Sequence, residues 1–224
     1  MSQAIVNLIT KNTTKEQMES AYKSYPDTQP KGKFEDFNAS TVEPIVCEIP
    51  EGSSVLDVGC NSGELMRMIK AKGCRVVGVD ISDVAIQAAK AKGLRVLKSS
   101  AEVLPFKDKR FDVVVMREVL THIHEPSKAI SEAKRVLKDK GFLIGSVPHA
   151  NLERIVWDDK RLHHRYYDEE RLKFELGESF EAVHLKVLNG TQFMMTFANS
   201  LLADKPAEML FKCGGLGLFK WEEA

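Results

Sequence analysis

Three times along this chain an amphipathic helical pattern runs into Lys-Gly and then into an apolar run: ELMRMIKAKGCRVVGVD, AIQAAKAKGLRVLKSS and AISEAKRVLKDKGFLIGSV. Leu65, Met68 and Ile69 in the first segment, and Ile130, Ala133, Val136 and Leu137 in the third, recur at i, i+3, i+4 spacing, giving each helix one apolar face. Gly73, Gly93 and Gly141 stand where a helix ends in a left-handed residue, and a Lys beside each suits the negative end of the helix dipole. The runs that follow, with VLDVG before the first helix and FDVVVMR at 111–117, are short and continuously apolar, as in parallel strands covered on both faces. Helix and strand in alternation, joined by right-handed crossovers, predict an α/β doubly wound sheet whose ligand crevice lies outside the carboxyl ends of its strands.

The remaining 1–40 and 149–224 depart from this rhythm without a low-complexity linker, so one domain over 1–224 is expected: an N-terminal helical cap (1–40), a core (41–148), then an insertion and final strands (149–224). A capping-box pattern from Thr13 to Glu16 opens a helix to about Tyr22, and Tyr25-Pro26 ends it. TVEPIVCEIP reads as a short element beside the first strand, Asp168-Glu169-Glu170 as a helix start, FEAVHLKVL as a strand, and GLGLFKW as a turn into a last strand. Lys+Arg and Asp+Glu are both 32, so no global field draws the chain to nucleic acid or to an anionic membrane. No apolar run approaches the ~18 residues of a membrane span, and no leader is seen. The four cysteines are too scattered for a disulfide framework or a Cys-x-x-Cys metal site, which points to thiols in a reducing cytoplasm.

The first strand-to-helix junction, Val55-Leu56-Asp57-Val58-Gly59 into Cys60-Asn61-Ser62-Gly63-Glu64, is the centre of the functional reading. Glycine lets the backbone turn sharply and lets a ligand lie close against it. Nicotinamide and flavin folds also use a glycine turn at this junction, so the turn alone does not choose the ligand. Asp57, two residues before Gly59, would repel a pyrophosphate but welcome the ammonium of an amino acid. Asp80 ends the second strand, where a carboxylate can accept from both ribose hydroxyls, and Ser100-Ala101-Glu102 close the third, where an adenine edge can sit. Taken singly, Asp57 or Asp80 could equally be a turn former. Together they fit a cationic adenosyl amino acid better than a dinucleotide.

VLDVGCNSGEL, VVGVDIS, SSAEVLPF, FDVVVMREVLTHIHEP and RVLKDKGFLIGSVPH resemble, in order and spacing over about residues 53–148, the successive motifs of class I S-adenosylmethionine-dependent methyltransferases, in the small-molecule branch called type 11. The resemblance implies a Rossmann-like sheet of seven strands, mostly parallel with an antiparallel last strand, and helices on both faces. It implies S-adenosylmethionine as cofactor, S-adenosylhomocysteine as product and no metal. Carried onto this chain, Asp57, Gly59 and Gly63 hold the methionine part, Asp80 the ribose, and Ala101 with Glu102 the adenine side. Cys60, Asn61, Ile81, Ser100 and Arg117 complete the expected cofactor contacts. Two positions depart from the pattern: Asn61 replaces a middle glycine, and Ser100 an acidic residue. Asn tolerates positive φ, so the turn is expected to survive.

Methyl transfer from a sulfonium needs alignment and exclusion of water more than a fixed triad. A hydroxyl or ammonium acceptor also needs a base. His122, just after the fourth strand, is the candidate, with anchoring of its own loop the alternative role. His124 is expected to face solvent, and Glu118 to pair with a neighbour or cap the loop. In KRLHHRYY (160–167), His163, His164, Tyr166 and Tyr167 are candidate acceptor contacts on a loop over the pocket, and the same basic, aromatic stretch could instead stack on RNA. Trp157, Phe193, Met194, Met195 and Phe197 line an acceptor pocket or belong to the core. The function predicted is methyl transfer to an O, N or C atom of a small molecule. The competing readings are an RNA or protein methyltransferase, a catalytically silent cofactor-binding scaffold and a nicotinamide-dependent oxidoreductase.

Overall fold

The computed structural model describes residues 42–148, 167–177, 179–180, 182–188 and 192–198. The expected helix from Thr13 to Tyr22, the contacts at Trp157, His163, His164 and Tyr166, and the final strand at GLGLFKW lie outside the described residues.

TVEPIVCEIP forms a helix over 42–48, α1. There follow β1 (Ser54–Val58), α2 (Glu64–Ala71), β2 (Arg75–Asp80), α3 (Asp83–Ala91), β3 (Val96–Lys98) and β4 (Phe111–Arg117). A 3-10 turn (Leu120–His122), α4 (Pro126–Val136), β5 (Leu137–Pro148), α5 (Glu169–Gly177), β6 (Ala182–Leu188) and β7 (Gln192–Ala198) complete the order. β1 pairs in parallel with β2 and β4, β2 with β3, and β4 with β5. These five parallel strands make the Rossmann-like α/β sheet that the alternation predicts. Beyond β5 the chain pairs antiparallel with β7, and β7 antiparallel with β6, in the order β3-β2-β1-β4-β5-β7-β6.

Successive residues of β1, β4 and β5 serve two different cores, because side chains alternate across a sheet. Val55, Val113, Val115, Phe142 and Ile144 pack with Val42 and Ile45 of α1, Ile49 just after it, and Leu65 and Ile69 of α2. Their strand neighbours Leu56, Val114, Met116 and Leu143 pack on the other face with Ala129, Ile130, Ala133 and Val136 of α4 and Leu172 and Leu176 of α5. Burial on both faces is why these strands read as continuous apolar runs.

α2 and α3 end alike. The N–H groups of Gly73 and Cys74 return to Lys70 and Ile69, and those of Gly93 and Leu94 to Lys90 and Ala89, with Gly73 at φ +81° and Gly93 at φ +72°. The third Lys-Gly behaves differently. α4 stops at Val136 with Leu137 already extended (φ −72°, ψ 140°), and Gly141 lies inside β5. Lys109 and Arg110 donate their backbone N–H groups to the carbonyls of Arg135 and Val136, drawing the chain out of the helix and onto β4. Gly141 is needed there for space: a Cβ would stand 3.0 Å from the Asp112 carbonyl oxygen.

Asp168 opens α5 as expected, its Oδ1 accepting from Arg171 N at 2.8 Å. Cys60 and Cys74 are free, buried thiols. Among the described residues no helix is long and apolar enough to cross a membrane, and no cluster of three metal-ligating side chains occurs.

Candidate active site

The turn after β1 is folded by its own backbone and by the tip of β2. Gly59 and Cys60 both donate their N–H to Val79 O, at 2.8 and 3.1 Å, and Gly63 N closes onto Cys60 O at 2.9 Å. Gly59 has φ +71°, and a Cβ there would lie 2.5 Å from Cγ2 of Val119. Only glycine meets both demands. Gly63, at φ +82°, begins α2 against Leu94 and Ala89. Asn61 takes φ +46°, the left-handed region that its amide tolerates, and its Oδ1 accepts from Ser62 N.

Asp80 ties this turn to the next one. Its Oδ2 accepts from Asn61 N at 2.8 Å and its Oδ1 from Ser82 N at 2.9 Å. Burial raises its pKa, opposed by the backbone N–H groups of Ser82, Asn61 and Ile81. A carboxylate has about four lone-pair directions, so acceptor capacity remains for hydroxyl groups.

Asp57 is a different case. It is 2% exposed at the end of β1, and its Oδ2 is buried without a hydrogen-bond partner. Burial pushes its pKa up to about 7, against the pull of the Arg117 guanidinium and with a further push from Asp80. Burial likewise lowers the pKa of Arg117, while Glu118 and Asp57 raise it. Asp57 and Arg117 thus place opposite charges at the tips of adjacent strands. Burial, then Asp57 and Asp80, raise the pKa of Cys60, so its thiol stays protonated.

After β3, Ser100 Oγ accepts from Glu102 N at 3.2 Å, and Glu102 Oε1 accepts from Glu125 N at 3.1 Å. The Glu102 carboxylate therefore fastens the loop after β3 to the start of α4. Ser100 and Ala101 are half-buried beside it.

Past β4 the chain is strained. Glu118 adopts φ +56°, which costs a non-glycine residue about 1–2 kcal/mol. It is held there by Ser146, whose carbonyl accepts from Glu118 N at 2.8 Å and whose hydroxyl donates to Glu118 Oε1 at 2.6 Å. His122 is half-buried at the end of the 3-10 turn, with its N–H on Val119 O at 2.9 Å, and His124 is exposed. Thr121 is fully buried and its Oγ1 lacks a hydrogen-bond partner.

Tyr167 departs from the expectation of an acceptor contact. It is fully buried, and its hydroxyl donates to Glu175 Oε2 at 2.9 Å and lies 3.5 Å from Leu120 O. Its aromatic bulk fills the core beneath the 3-10 turn. Sequence reasoning missed Val119, which closes over Gly59, and Ser146, which fixes Glu118. Both partnerships join residues far apart in the chain, and neither leaves a local signal.

Residues 56–145 match the model of a methyltransferase domain family. An uncharacterised protein of Methanocaldococcus jannaschii is 30% identical over 156 residues, covering 68% of this chain and 74% of its own length. The chain belongs to the class I S-adenosylmethionine-dependent methyltransferases.

A ubiquinone biosynthesis O-methyltransferase of Alkalilimnicola ehrlichii is 32% identical over 108 residues, 45% of this chain and 44% of that protein. A tRNA (carboxymethyluridine(34)-5-O)-methyltransferase of Arabidopsis thaliana is 34% identical over 108 residues, 47% of this chain and 26% of that protein. The chain thus spans less than half of these two relatives. Among solved structures, an S-adenosylmethionine-dependent methyltransferase of Thermotoga maritima superposes with a TM-score of 0.67 at 20% identity, covering 81% of this chain and 99% of that one. At that identity the likeness concerns the fold.

Proposed function

We propose that this methyltransferase transfers a methyl group to an O, N or C atom of a small molecule seated at the rim formed by the tip of β4 and the Leu120–His122 turn. The observation that carries the cofactor half of this reading is the buried, unpartnered Oδ2 of Asp57 at the tip of β1. A buried polar atom without a partner costs about 1–3 kcal/mol, and an ammonium group removes that cost. The α-amino group of a methionine tail has that chemistry. Arg117, of opposite charge, suits the carboxylate of the same tail.

In this reading Gly59, Cys60, Asn61 and Gly63 supply a turn without side-chain obstruction for the amino-acid portion. Asp80 takes the ribose hydroxyls on its remaining lone pairs, with Ile81 beside it. Ser100 and Ala101 face the adenine, while Glu102 holds their loop in place through Glu125. When bound, S-adenosylmethionine supplies an electrophilic methyl on a positively charged sulfur. The chain's work is to hold the acceptor in line and exclude water. His122, half-buried at the rim, is placed to take the proton of a hydroxyl or ammonium acceptor.

The tRNA-methylating activity named for the Arabidopsis relative favours a second reading, an RNA acceptor. Incubating cell extract with isotope-labelled S-adenosylmethionine and the enzyme, then resolving small molecules, RNA and protein by mass, separates the two. Label in a small-molecule fraction supports the first reading, and label confined to RNA or protein overturns it. With the acceptor in hand, His122→Ala should keep cofactor affinity and lose turnover; unchanged turnover would remove His122 as the base.

A further inference from the structure

At the end of the sheet opposite the cofactor crevice, the strands begin in a row of arginines. Arg75 is the first residue of β2, Arg95 directly precedes β3, and Arg110 directly precedes β4. The first two arise from one repeated phrase, Lys72-Gly73-Cys74-Arg75-Val76 and Lys92-Gly93-Leu94-Arg95-Val96. Because α2 and α3 end in the same left-handed glycine turn, the phrase delivers an Arg to the start of each of two neighbouring strands, with Arg95 beside Val77, two residues along β2 from Arg75. Ser54, which opens β1, pairs in register with Arg75, and its hydroxyl lies 3.3 Å from Arg110 O, so the row continues across β1 to β4.

These arginines line a cavity of about 330 Å³ together with Ser54, Val76, Phe111 and Lys138. Lys138 is neutralised by Asp112 at 2.7 Å, and the other oxygen of Asp112 takes the Ser54 hydroxyl. Arg75, Arg95 and Arg110 are exposed, and among the described residues none forms an ion pair with a carboxylate. The groove is therefore cationic in a chain whose charges sum to zero. Arginine is the minority base, ten residues against 22 lysines, yet all three uncompensated cations here are arginine. Guanidinium presents a planar fork that matches phosphate oxygens, where lysine offers a point charge. Arg110 is held in place over the rings of Phe106 and Phe111, at 5.4 and 5.6 Å.

We propose that this groove binds a ligand bearing successive phosphates. Three strand steps separate β4 from β3, about 14 Å at the usual strand spacing, longer than a single phosphate can bridge. The backbone of single-stranded RNA and the triphosphate of a free nucleotide share this chemistry, and the row favours the longer chain. The site is remote from the β1 and β2 tips, so it anchors a ligand and does not present the atom to be methylated. It stands whether or not the acceptor is a small molecule.

The test is fluorescence anisotropy with a labelled single-stranded RNA of about 12 nucleotides and with a labelled nucleoside triphosphate. Wild type is compared with the triple variant Arg75→Gln, Arg95→Gln, Arg110→Gln and with the matching Arg→Lys triple. The glutamine triple should bind at least tenfold more weakly, and the lysine triple should fall between it and wild type. Affinity for S-adenosylhomocysteine should be unchanged in both, which also reports that they are folded. If RNA is the ligand, the slope of log affinity against log salt should fall by about 2 in the glutamine triple, roughly 0.7 for each phosphate that is no longer neutralised. Binding of the triphosphate alone, abolished in the same variant, assigns the site to a free nucleotide. Failure of wild type to bind either probe, or equal binding by wild type and the glutamine triple, would overturn the proposal.

Discussion

Asp80 stands at the tip of β2 but fastens the turn that follows β1, its Oδ2 accepting the backbone N–H of Asn61 at 2.8 Å. One carboxylate thus fixes the turn and, in the proposed reading, also takes the ribose hydroxyls of the cofactor. Removing it should damage both. For Asp80→Ala we expect S-adenosylhomocysteine to bind at least tenfold more weakly by calorimetry, on the scale of about 1.5 kcal/mol for a hydrogen bond to a charged group, with a lowered Tm. Unchanged affinity would separate Asp80 from the cofactor.

Asp57 should make the unliganded protein sensitive to pH. Its folded pKa, about 7, lies above the ordinary carboxylate value of 3.8, so the folded state holds a proton that the unfolded state has released. The stabilisation that follows is complete below about pH 4 and is lost as pH rises through 7. The gap corresponds to a few kcal/mol, on the order of 1.4 kcal/mol per pH unit. Thermal melts of the unliganded protein at pH 5.5 and 8 should show a fall in Tm that is much smaller in Asp57→Asn. Equal falls in the two proteins would place the titration elsewhere.

Gly59→Ala meets two obstacles, the left-handed backbone and the Val119 methyl 2.5 Å from the new Cβ. The backbone part alone costs about 1–2 kcal/mol. Urea denaturation should therefore show a loss of at least that size, and Gly59→Ala with Val119→Ala should recover only the steric part. Full recovery in the double variant would mean that the φ of Gly59 carries no strain.

Tyr167→Phe should cost about 1–2 kcal/mol in urea, because the Glu175 carboxylate is left short of its buried donor. Cofactor affinity and the KM for the acceptor should not change. A raised KM with unchanged stability would return Tyr167 to the acceptor site.

The parallel core was legible because β1, β4 and β5 are buried on both faces, and such strands show themselves as unbroken apolar runs between amphipathic helices. Asp57, Gly59, Asn61 and Asp80 were legible because the turn is local and the spacing to the next strand tip is set by one helix. Gly141 misled because an identical Lys-Gly phrase is read locally as a helix end, whereas pairing with β4 starts a strand four residues earlier. β7 was not legible as a strand: QFMMTFA owes its place to antiparallel partners in β5 and β6, of which β5 ends 44 residues before it begins. Ser146 holding Glu118, and Glu102 capping Glu125, are contacts over 28 and 23 residues that no periodicity announces.

In the proposed reading Asp57 grips the amino-acid end of the cofactor and no other part. Calorimetry of S-adenosylhomocysteine and of adenosine, each with wild type and Asp57→Asn at pH 8, tests it most directly. S-adenosylhomocysteine should lose at least tenfold in affinity while adenosine, which lacks the amino-acid tail, binds both proteins alike. Equal losses for the two ligands, or no loss for either, would contradict the account.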